Sequence, residues 1–264
     1  MKKQLLVVLV LAAAGTFAAL GDIAGSFTIA GLTTTRGLAR SGSYLYVSNW
    51  YSPYNIYRVN PTTGSVYGSY PGTTAYSNTE GLAYGGNNRL YGTRLLGSMT
   101  PAVVYEMNDT TGSVYRSFNT VPTVSMYGLA PRCTGDGGAG TDALFLADMG
   151  LSGAGERVYV YTTAGSRISS FAIPTTTNFL EIAYDWRNHI IWGGMSDHLI
   201  HGVNTAGSIV SSFAVSPGAW SYGMTYYGGY LWVGVSGSVY KIHCPSMNPA
   251  VSPSSLGRVK AVYR

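Results

Sequence analysis

Short apolar segments with a period of two alternate with glycine-rich and polar turns along the chain, and no segment has the period of an amphipathic helix. The most regular of these segments begins with a Gly-Leu-Ala-like triplet. The triplets are Gly37-Leu-Ala39, Gly81-Leu-Ala83, Gly128-Leu-Ala130, Glu181-Ile-Ala183 and Gly223-Met-Thr225. Steps of 44, 47, 53 and 42 residues separate them and define one unit that occurs five times. Repeats of this length are typical of propellers and other repeat arrays.

Two more apolar segments follow each triplet, so each unit has at least three strands. The second strands are Tyr44-Leu-Tyr-Val47, Arg89-Leu-Tyr91, Leu144-Phe-Leu146, Ile190-Ile-Trp192 and Tyr230-Leu-Trp-Val233. The third strands are Asn55 to Asn60, Val103 to Asn108, Arg157 to Tyr161, Leu199 to Val203 and Ser238 to Ile242. We predict that glycine and alanine begin the inner strands because five such strands approach closely around one axis.

A fourth, outer strand follows a polar turn that ends in glycine. Asn60-Pro-Thr-Thr-Gly64 is repeated almost letter for letter at Asn108-Asp-Thr-Thr-Gly112. Side-chain hydrogen bonds and a glycine with positive φ favour a hairpin here. Outer strands follow in four units, and Ile23-Ala-Gly-Ser-Phe27 supplies the fifth copy ahead of the first unit. The pattern therefore predicts an all-β, five-bladed β-propeller of four-stranded antiparallel blades, closed by the mature N-terminal strand. The alternatives are an open array or part of a larger ring.

The repeats continue almost end to end through the 264 residues and indicate one domain. Lys2, Lys3, an apolar run and a small-residue cleavage site predict a signal peptide over residues 1–21, and a membrane anchor is the alternative. We expect a propeller over 22–244 and a C-terminal tail over 245–264. The signal has a bacterial style, and it predicts a secreted or cell-surface protein, with the periplasm as an alternative.

Charge and cysteine content limit the partners. Removing residues 1–21 takes away two of the 16 basic residues, and the balance against 11 acids becomes 14 − 11 = +3. The remaining basic residues form no cluster, so we expect neither nucleic acid nor, after signal removal, membrane as a partner. Cys133 and Cys244 could pair after export, but they lie blades apart, and we favour free thiols. The glycine-rich insertion at 131–141 is typical of a flexible loop. We expect a monomer.

Candidate chemistry gathers at one end of the predicted channel, where the inner strands begin. The residues just before or within the triplets are Arg36, Glu80, Tyr127, Leu180, Glu181 and Tyr222. The loops that share this end add Asn49, Trp50, Tyr51, Arg94, Asp148, Glu156, Asp197 and His198. Convergent carboxylates, arginines and aromatic rings suit a sugar or a peptide end. The alternative is a set of salt bridges that hold these loops together. The histidines have no metal-ligand spacing, and we predict no metal and no cofactor.

Two motifs resemble a known family. Ser77-Asn-Thr-Glu80-Gly-Leu-Ala-Tyr followed by Arg89-Leu-Tyr, and Asn178-Phe-Leu-Glu181-Ile followed by Ile190-Ile-Trp, are similar to the second and fourth blades of the glutamine cyclotransferases, the plant-type glutaminyl cyclases. That family is five-bladed. The resemblance implies that Glu80 moves protons while the amine of an N-terminal glutamine attacks its own side-chain amide. The motifs also resemble secreted YVTN and NHL-like propellers that only bind.

The chain departs from the cyclase pattern at two places. Thr35-Arg36-Gly37-Leu38 stands where the family has Thr-Gln-Gly-Leu, and Gly193-Gly194-Met195 replaces an Asn and a Trp of the fourth blade. We therefore predict a non-enzymatic binding or surface-interaction module for a glycan or peptide at the channel mouth. Its ligand-binding residues would be Arg36, Trp50, Tyr51, Arg94, Asp148, Glu181, Asp197 and His198. A cyclase-like enzyme with Glu80 as general acid and base is the alternative.

Overall fold

A computed structural model describes residues 19–51, 55–70, 79–94, 101–120, 126–148, 156–173, 179–195, 198–214 and 223–244. These residues form twenty β-strands and one short 3₁₀ helix at Asp136–Gly138. In the described part of the chain, no helix is long and apolar enough to cross a bilayer. The predicted signal peptide and C-terminal tail lie almost wholly outside the described residues.

The strands form five four-stranded antiparallel sheets, which are the blades of a β-propeller. Blade 1 contains β2 (Thr35–Arg40), β3 (Leu45–Asn49), β4 (Ile56–Val59) and β5 (Val66–Tyr70). Blade 2 contains β6 (Thr79–Tyr84), β7 (Arg89–Arg94), β8 (Val103–Asn108) and β9 (Val114–Asn119). Blade 3 contains β10 (Met126–Arg132), β11 (Ala143–Asp148), β12 (Arg157–Thr162) and β13 (Arg167–Ala172). Blade 4 contains β14 (Phe179–Asp185), β15 (Ile190–Met195), β16 (Leu199–Asn204) and β17 (Ile209–Ala214).

The last blade confirms the predicted ring closure. It consists of β18 (Gly223–Tyr227), β19 (Tyr230–Val235), β20 (Ser238–His243) and the N-terminal strand β1 (Ile23–Thr28). Strand β1 runs antiparallel to β20, with Phe27 opposite Val239 and Thr28 opposite Ser238. The inner strands contact one another in cyclic order, and β18 meets β2. Closure leaves each blade with a neighbour on both sides.

The hydrophobic core is divided into five clusters, one at each interface between adjacent blades. The largest fully buried side chains include Trp192, Tyr46, Tyr161 and Phe145. Each cluster combines the inner and middle strands of one blade with those of the next. Burial of these apolar faces, at about 25 cal/mol per Å², is the main force that holds the blades together.

The repeated turn has the structure expected from its residues, and it also locks adjacent blades. Asn60 Oδ1 accepts hydrogen bonds from the amides of Thr62 and Thr63, at 2.8 and 3.1 Å, and Asn108 does the same in blade 2. Gly64 has a φ of +75°, and a Cβ there would lie 2.7 Å from the Phe27 ring of the preceding blade. The aromatic end of each outer strand is therefore a packing partner for the next turn.

The glycine-rich insertion of blade 3 is a plug, not the loop typical of such sequences. The plug consists of residues 132–142 and closes the channel at the end where the inner strands finish. Asp136 accepts hydrogen bonds from Trp186 Nε1, Arg187 Nη2 and the Gly228 amide, at 3.0, 3.0 and 3.1 Å. These partners belong to blades 4 and 5, so the plug is tied across the ring.

Both cysteines are buried free thiols, as favoured by the sequence. Cys133 is the second residue of the plug, and burial raises its pKa to about 11. Burial also raises the pKa of Cys244, which packs between blades 4 and 5. The deprotonated thiolate is the reactive form, and its population is therefore suppressed at both positions.

Candidate functional site

The channel mouth is the end of the central channel at which the inner strands begin, opposite the plug. Four of the five inner strands carry a β-bulge there, between Thr35 and Leu38, Thr79 and Leu82, Met126 and Leu129, and Phe179 and Glu181. A bulge re-aims the side chains of the strand that contains it. Arg36, Glu80, Tyr127 and Glu181 all lie at these bulges.

Hydroxyl groups of the second strands hold two of the bulges in place. The Gly37 amide donates to Ser48 Oγ at 2.7 Å, and the Gly81 amide donates to Thr93 Oγ1 at 2.8 Å. Thr93 Oγ1 in turn donates to the Tyr127 carbonyl at 3.1 Å, which links blades 2 and 3. Sequence reasoning missed this role of Ser48 and Thr93. The available signal was a hydroxyl residue one position before the end of these two second strands.

Close packing of the inner strands explains the triplet glycines. A Cβ on Gly37 would lie 2.7 Å from the Glu80 carbonyl, and one on Gly81 would lie 2.4 Å from the Tyr127 carbonyl. Both distances are shorter than any normal contact, so only glycine fits. Blade 4 is the exception, because Glu181 occupies the register of these glycines. A carboxylate side chain thus enters the region that the other blades keep free of side chains.

Arg36 is the cation that lies next to the buried acids of the channel mouth. Its Cζ lies 3.3 Å from the centroid of the Trp50 ring and 5.6 Å from that of Tyr127. Its Nε lies 3.1 Å from Glu80 Oε2, and the two side chains are 12% and 2% exposed. The pair therefore joins blades 1 and 2 while Arg36 keeps a small contact with solvent. A guanidinium held against an indole ring is a cation–π arrangement.

Burial controls the protonation of both glutamates. It raises the pKa of Glu80 to about 7, and the Arg36 guanidinium opposes this shift only in part. Burial raises the pKa of Glu181 well above its usual range, and the negative charge of Glu80 adds to the shift. Glu181 Oε2 accepts no hydrogen bond from the described residues. Two carboxyl groups of blades 2 and 4 thus act on the same arginine of blade 1, and burial favours the neutral form of Glu181.

An open groove of about 290 Å³ leads to Arg36. Its lining consists of Thr34, Arg36, Trp50, Tyr51 and Ser236. Tyr51 is 57% exposed, and its carbonyl accepts a hydrogen bond from Asn49 Nδ2 at 2.9 Å. The groove reaches Arg36 from outside, whereas Glu80 and Glu181 lie buried beyond it.

The remaining predicted residues lie elsewhere around the mouth. Arg94 ends β7 opposite Thr79, and Asp148 ends β11 and is fully buried. Burial raises the pKa of Tyr159 on the next strand, and the charge of Asp148 adds to that shift. His198 is exposed and has a φ of +64°. Asp197 and Tyr222 lie outside the described residues. The structure therefore brings together Arg36, Trp50, Tyr51, Glu80, Tyr127 and Glu181.

Metal binding has no support in the geometry of the described residues, where no three His, Cys, Asp or Glu side chains form a group that could hold an ion. The site instead combines one arginine, two buried acids and three aromatic rings. Such a set can bind a charged group through Arg36 and move a proton through Glu80.

The fold and this channel mouth define the protein as a five-bladed β-propeller, and comparison with solved structures agrees. A glutaminyl cyclase from Myxococcus xanthus matches with a TM-score of 0.64 and 13% identity, over 84% of this chain and 95% of that one. A nidogen/laminin complex matches with a TM-score of 0.52 and 14% identity, over 76% and 72%. At these identities the likeness concerns the fold alone. No family model and no curated protein matches the sequence.

Proposed function

We propose that this protein is a secreted, non-enzymatic propeller that binds the carboxyl end of a peptide at the channel mouth. One observation supports this most strongly, namely that Arg36 sits over Trp50 at the inner end of an open groove, with Glu80 3.1 Å behind it. A guanidinium fixed by an aromatic ring and a carboxylate is pre-organised for a carboxylate ligand. Export through the leader at residues 1–21 is part of the proposal.

A peptide fits this groove better than a glycan. Arg36 covers one face of the Trp50 ring, so that face is closed to a stacked sugar. Tyr51 is the exposed ring, and it suits a peptide side chain next to the terminal carboxylate. Protonation of Glu80 would make anion binding at Arg36 depend on pH. When Glu80 is protonated, it no longer offsets the charge of Arg36, which then attracts an anion more strongly.

A cyclase-like enzyme is the second candidate, and the pKa of Glu80 favours it. A carboxyl group that titrates near 7 is suited to take a proton from an attacking amine and return it to departing ammonia. The fold likeness to a glutaminyl cyclase adds weight. Two observations count against this candidate. Glu80 is 2% exposed and lies behind Arg36. Arg36 itself occupies the position at which the cyclase family has glutamine.

Tripeptides of the sequence Gln-Gly-Phe, with a free or an amidated carboxyl end, test both candidates. Calorimetry should show that the free-acid peptide binds at least about tenfold more tightly, and Arg36→Gln should remove that preference. Arg167→Gln, which removes an equal charge from an exposed outer strand, should preserve it. Equal affinity for both peptides, or a preference that survives Arg36→Gln, would contradict the binding proposal. Release of ammonia from the peptide, detected by mass spectrometry and lost in Glu80→Gln, would support the enzyme instead.

A further inference from the structure

A second groove lies between blades 2 and 3, at the plug end of the ring and away from the channel mouth. Its volume is about 440 Å³, which is within the range of small-ligand sites. The walls are formed mainly by Asn87, Arg89, Tyr115, Arg116, Thr141 and Thr163. These side chains offer guanidinium, hydroxyl and amide groups, and the tyrosine offers a ring face. The groove is therefore polar and positively charged.

One buried carboxylate fixes both arginines of this groove. Glu106 is 1% exposed, and its two oxygens contact Arg89 Nη1 and Arg116 Nε. The arginine side chains remain 47% and 45% exposed. Each guanidinium has five N–H donors, so donors beyond the contact with Glu106 remain for a ligand. Two cations around one anion leave a net positive charge that is held in place before any ligand arrives.

Tyr115 completes the wall beside Arg89. The Arg89 Cζ lies 5.4 Å from the centroid of the Tyr115 ring, and the ring is largely exposed. Asn108 Nδ2 donates to the Tyr115 hydroxyl oxygen at 2.7 Å, which leaves the hydroxyl hydrogen able to donate to a ligand. Thr141 and Thr163 face it from blade 3. The groove thus offers a ring face, hydroxyl groups and a pair of arginines. This combination is suited to a sugar that carries an acidic group.

Blade 1 shows that the repeat does not create this site. The turn and outer strand of blades 1 and 2 are nearly identical, but Tyr44, Arg58 and Gly68 stand where blade 2 has Arg89, Glu106 and Arg116. Arg58 lies over the Tyr44 ring at 4.8 Å, and Tyr44 meets Tyr67 edge to face at 5.5 Å. That surface is an aromatic stack around one cation. Three coordinated differences therefore separate a packed surface from a charged groove.

From this geometry we infer that the groove between blades 2 and 3 binds an acidic glycan, with Arg89 and Arg116 on its carboxylate or sulfate group and Tyr115 against its sugar ring. The inference does not depend on the proposed function of the channel mouth. An acidic peptide is the competing ligand. It is less well matched, because the groove offers hydroxyl and amide groups rather than apolar pockets for side chains.

Calorimetry with four probes tests the inference, namely tetragalacturonate, a sulfated heparin tetrasaccharide, neutral maltotetraose and a tetraglutamate peptide. At least one acidic saccharide should bind, and maltotetraose should not. Arg89→Gln and Arg116→Gln should each weaken binding about tenfold or more, whereas Arg167→Gln, with the same loss of charge, should leave it unchanged. The substitutions Arg89→Lys and Arg116→Lys keep the charge opposite Glu106 and should still weaken binding, because lysine cannot form the bidentate contact.

Three results would overturn the inference. They are the absence of binding by both acidic saccharides at millimolar concentration, equal weakening by Arg167→Gln, and affinity that neither groove arginine affects. A fourth result, tighter binding of the tetraglutamate peptide than of both saccharides, would also overturn the inference and would assign the groove to acidic peptides. The carboxylate and sulfate probes distinguish the two sources of the acidic group.

Discussion

The two ends of the channel differ in how their buried polar groups are satisfied. At the plug end, Asp136 receives three hydrogen bonds from blades 4 and 5, and a cavity of about 10 Å³ lies beside the plug. Fully buried Asp185 nearby accepts from the amides of Arg187 and Asn188 and from Asn188 Nδ2. The acids at this end are therefore structural, and they hold blades and turns in fixed positions.

At the channel mouth, Glu80 and Glu181 are buried, and each has one carboxyl oxygen that accepts no hydrogen bond from the described residues. Glu80 has an ion pair with Arg36, and Glu181 Oε2 accepts no hydrogen bond from the described residues. A buried polar group without a partner costs about 1 to 3 kcal/mol. The comparison shows that residue type alone does not define a site. Carboxyl groups accept hydrogen bonds that hold the blades together at one end, whereas at the other end they keep buried oxygens that accept none from the described residues.

The substitution with the largest expected effect is Gly138→Ala in the plug. A Cβ there would lie 2.1 Å from the Tyr84 carbonyl of blade 2, and Gly138 also has a φ of +69°. We expect a loss of about 4 kcal/mol or more in the free energy of unfolding, measured by chemical denaturation. Gly228→Ala is the matched control, with a φ of +65° and nothing within 4 Å of its Cβ, and it should cost about 1 to 2 kcal/mol. Equal losses would show that the plug is loosely packed.

The second test measures how the buried Glu80 at the channel mouth makes stability depend on pH. The pKa of Glu80 rises from an unfolded value of 4.5 to about 7, so the folded protein retains a proton that the unfolded chain releases. The contribution of Glu80 to the free energy of unfolding is therefore complete below pH 4.5. It falls as the pH rises toward 7, by roughly 3 kcal/mol at most. The free energy of unfolding is measured by chemical denaturation at each pH for the wild type and for Glu80→Gln. We expect the difference, wild type minus variant, to fall with this slope. A difference curve that rises with pH would mean that the Arg36 ion pair dominates.

The third test compares single acids at the two ends. Asp136→Ala removes three hydrogen bonds and should lower the free energy of unfolding by about 2 kcal/mol. Glu181→Gln replaces a carboxyl group whose neutral form burial favours by an amide of the same shape, and it should change the free energy of unfolding by less than about 1 kcal/mol. Asp142→Ala is the control, because its bond to Arg132 is exposed and such a pair contributes about 0 to 1 kcal/mol. A larger loss for Glu181→Gln than for Asp136→Ala would reverse the assignment of the two ends.

Much of the architecture was determined by the sequence itself. The five triplets, the Asn-to-Gly turns and the extra copy of the outer strand at Ile23-Ala-Gly-Ser-Phe27 predict five blades and ring closure, and the structure confirms both. These features depend on local hydrogen bonds, on the period of two and on the need for glycine at close approach. Each is written in consecutive residues, so reading along the chain is sufficient.

The sites depended on residues that are far apart in the chain, and only the tertiary structure brought them together. Arg36, Glu80 and Glu181 come from three blades. Their positions in the sequence predict that they share one end of the channel, but not that Arg36 covers Trp50 or that burial raises the pKa of Glu181. Glu106, with its two arginines, and the plug were not recognised at all, because glycine-rich insertions and scattered charges carry no period. Burial and pairing are properties of the assembled ring, and they decide which of several similar acids is structural and which is available to a ligand.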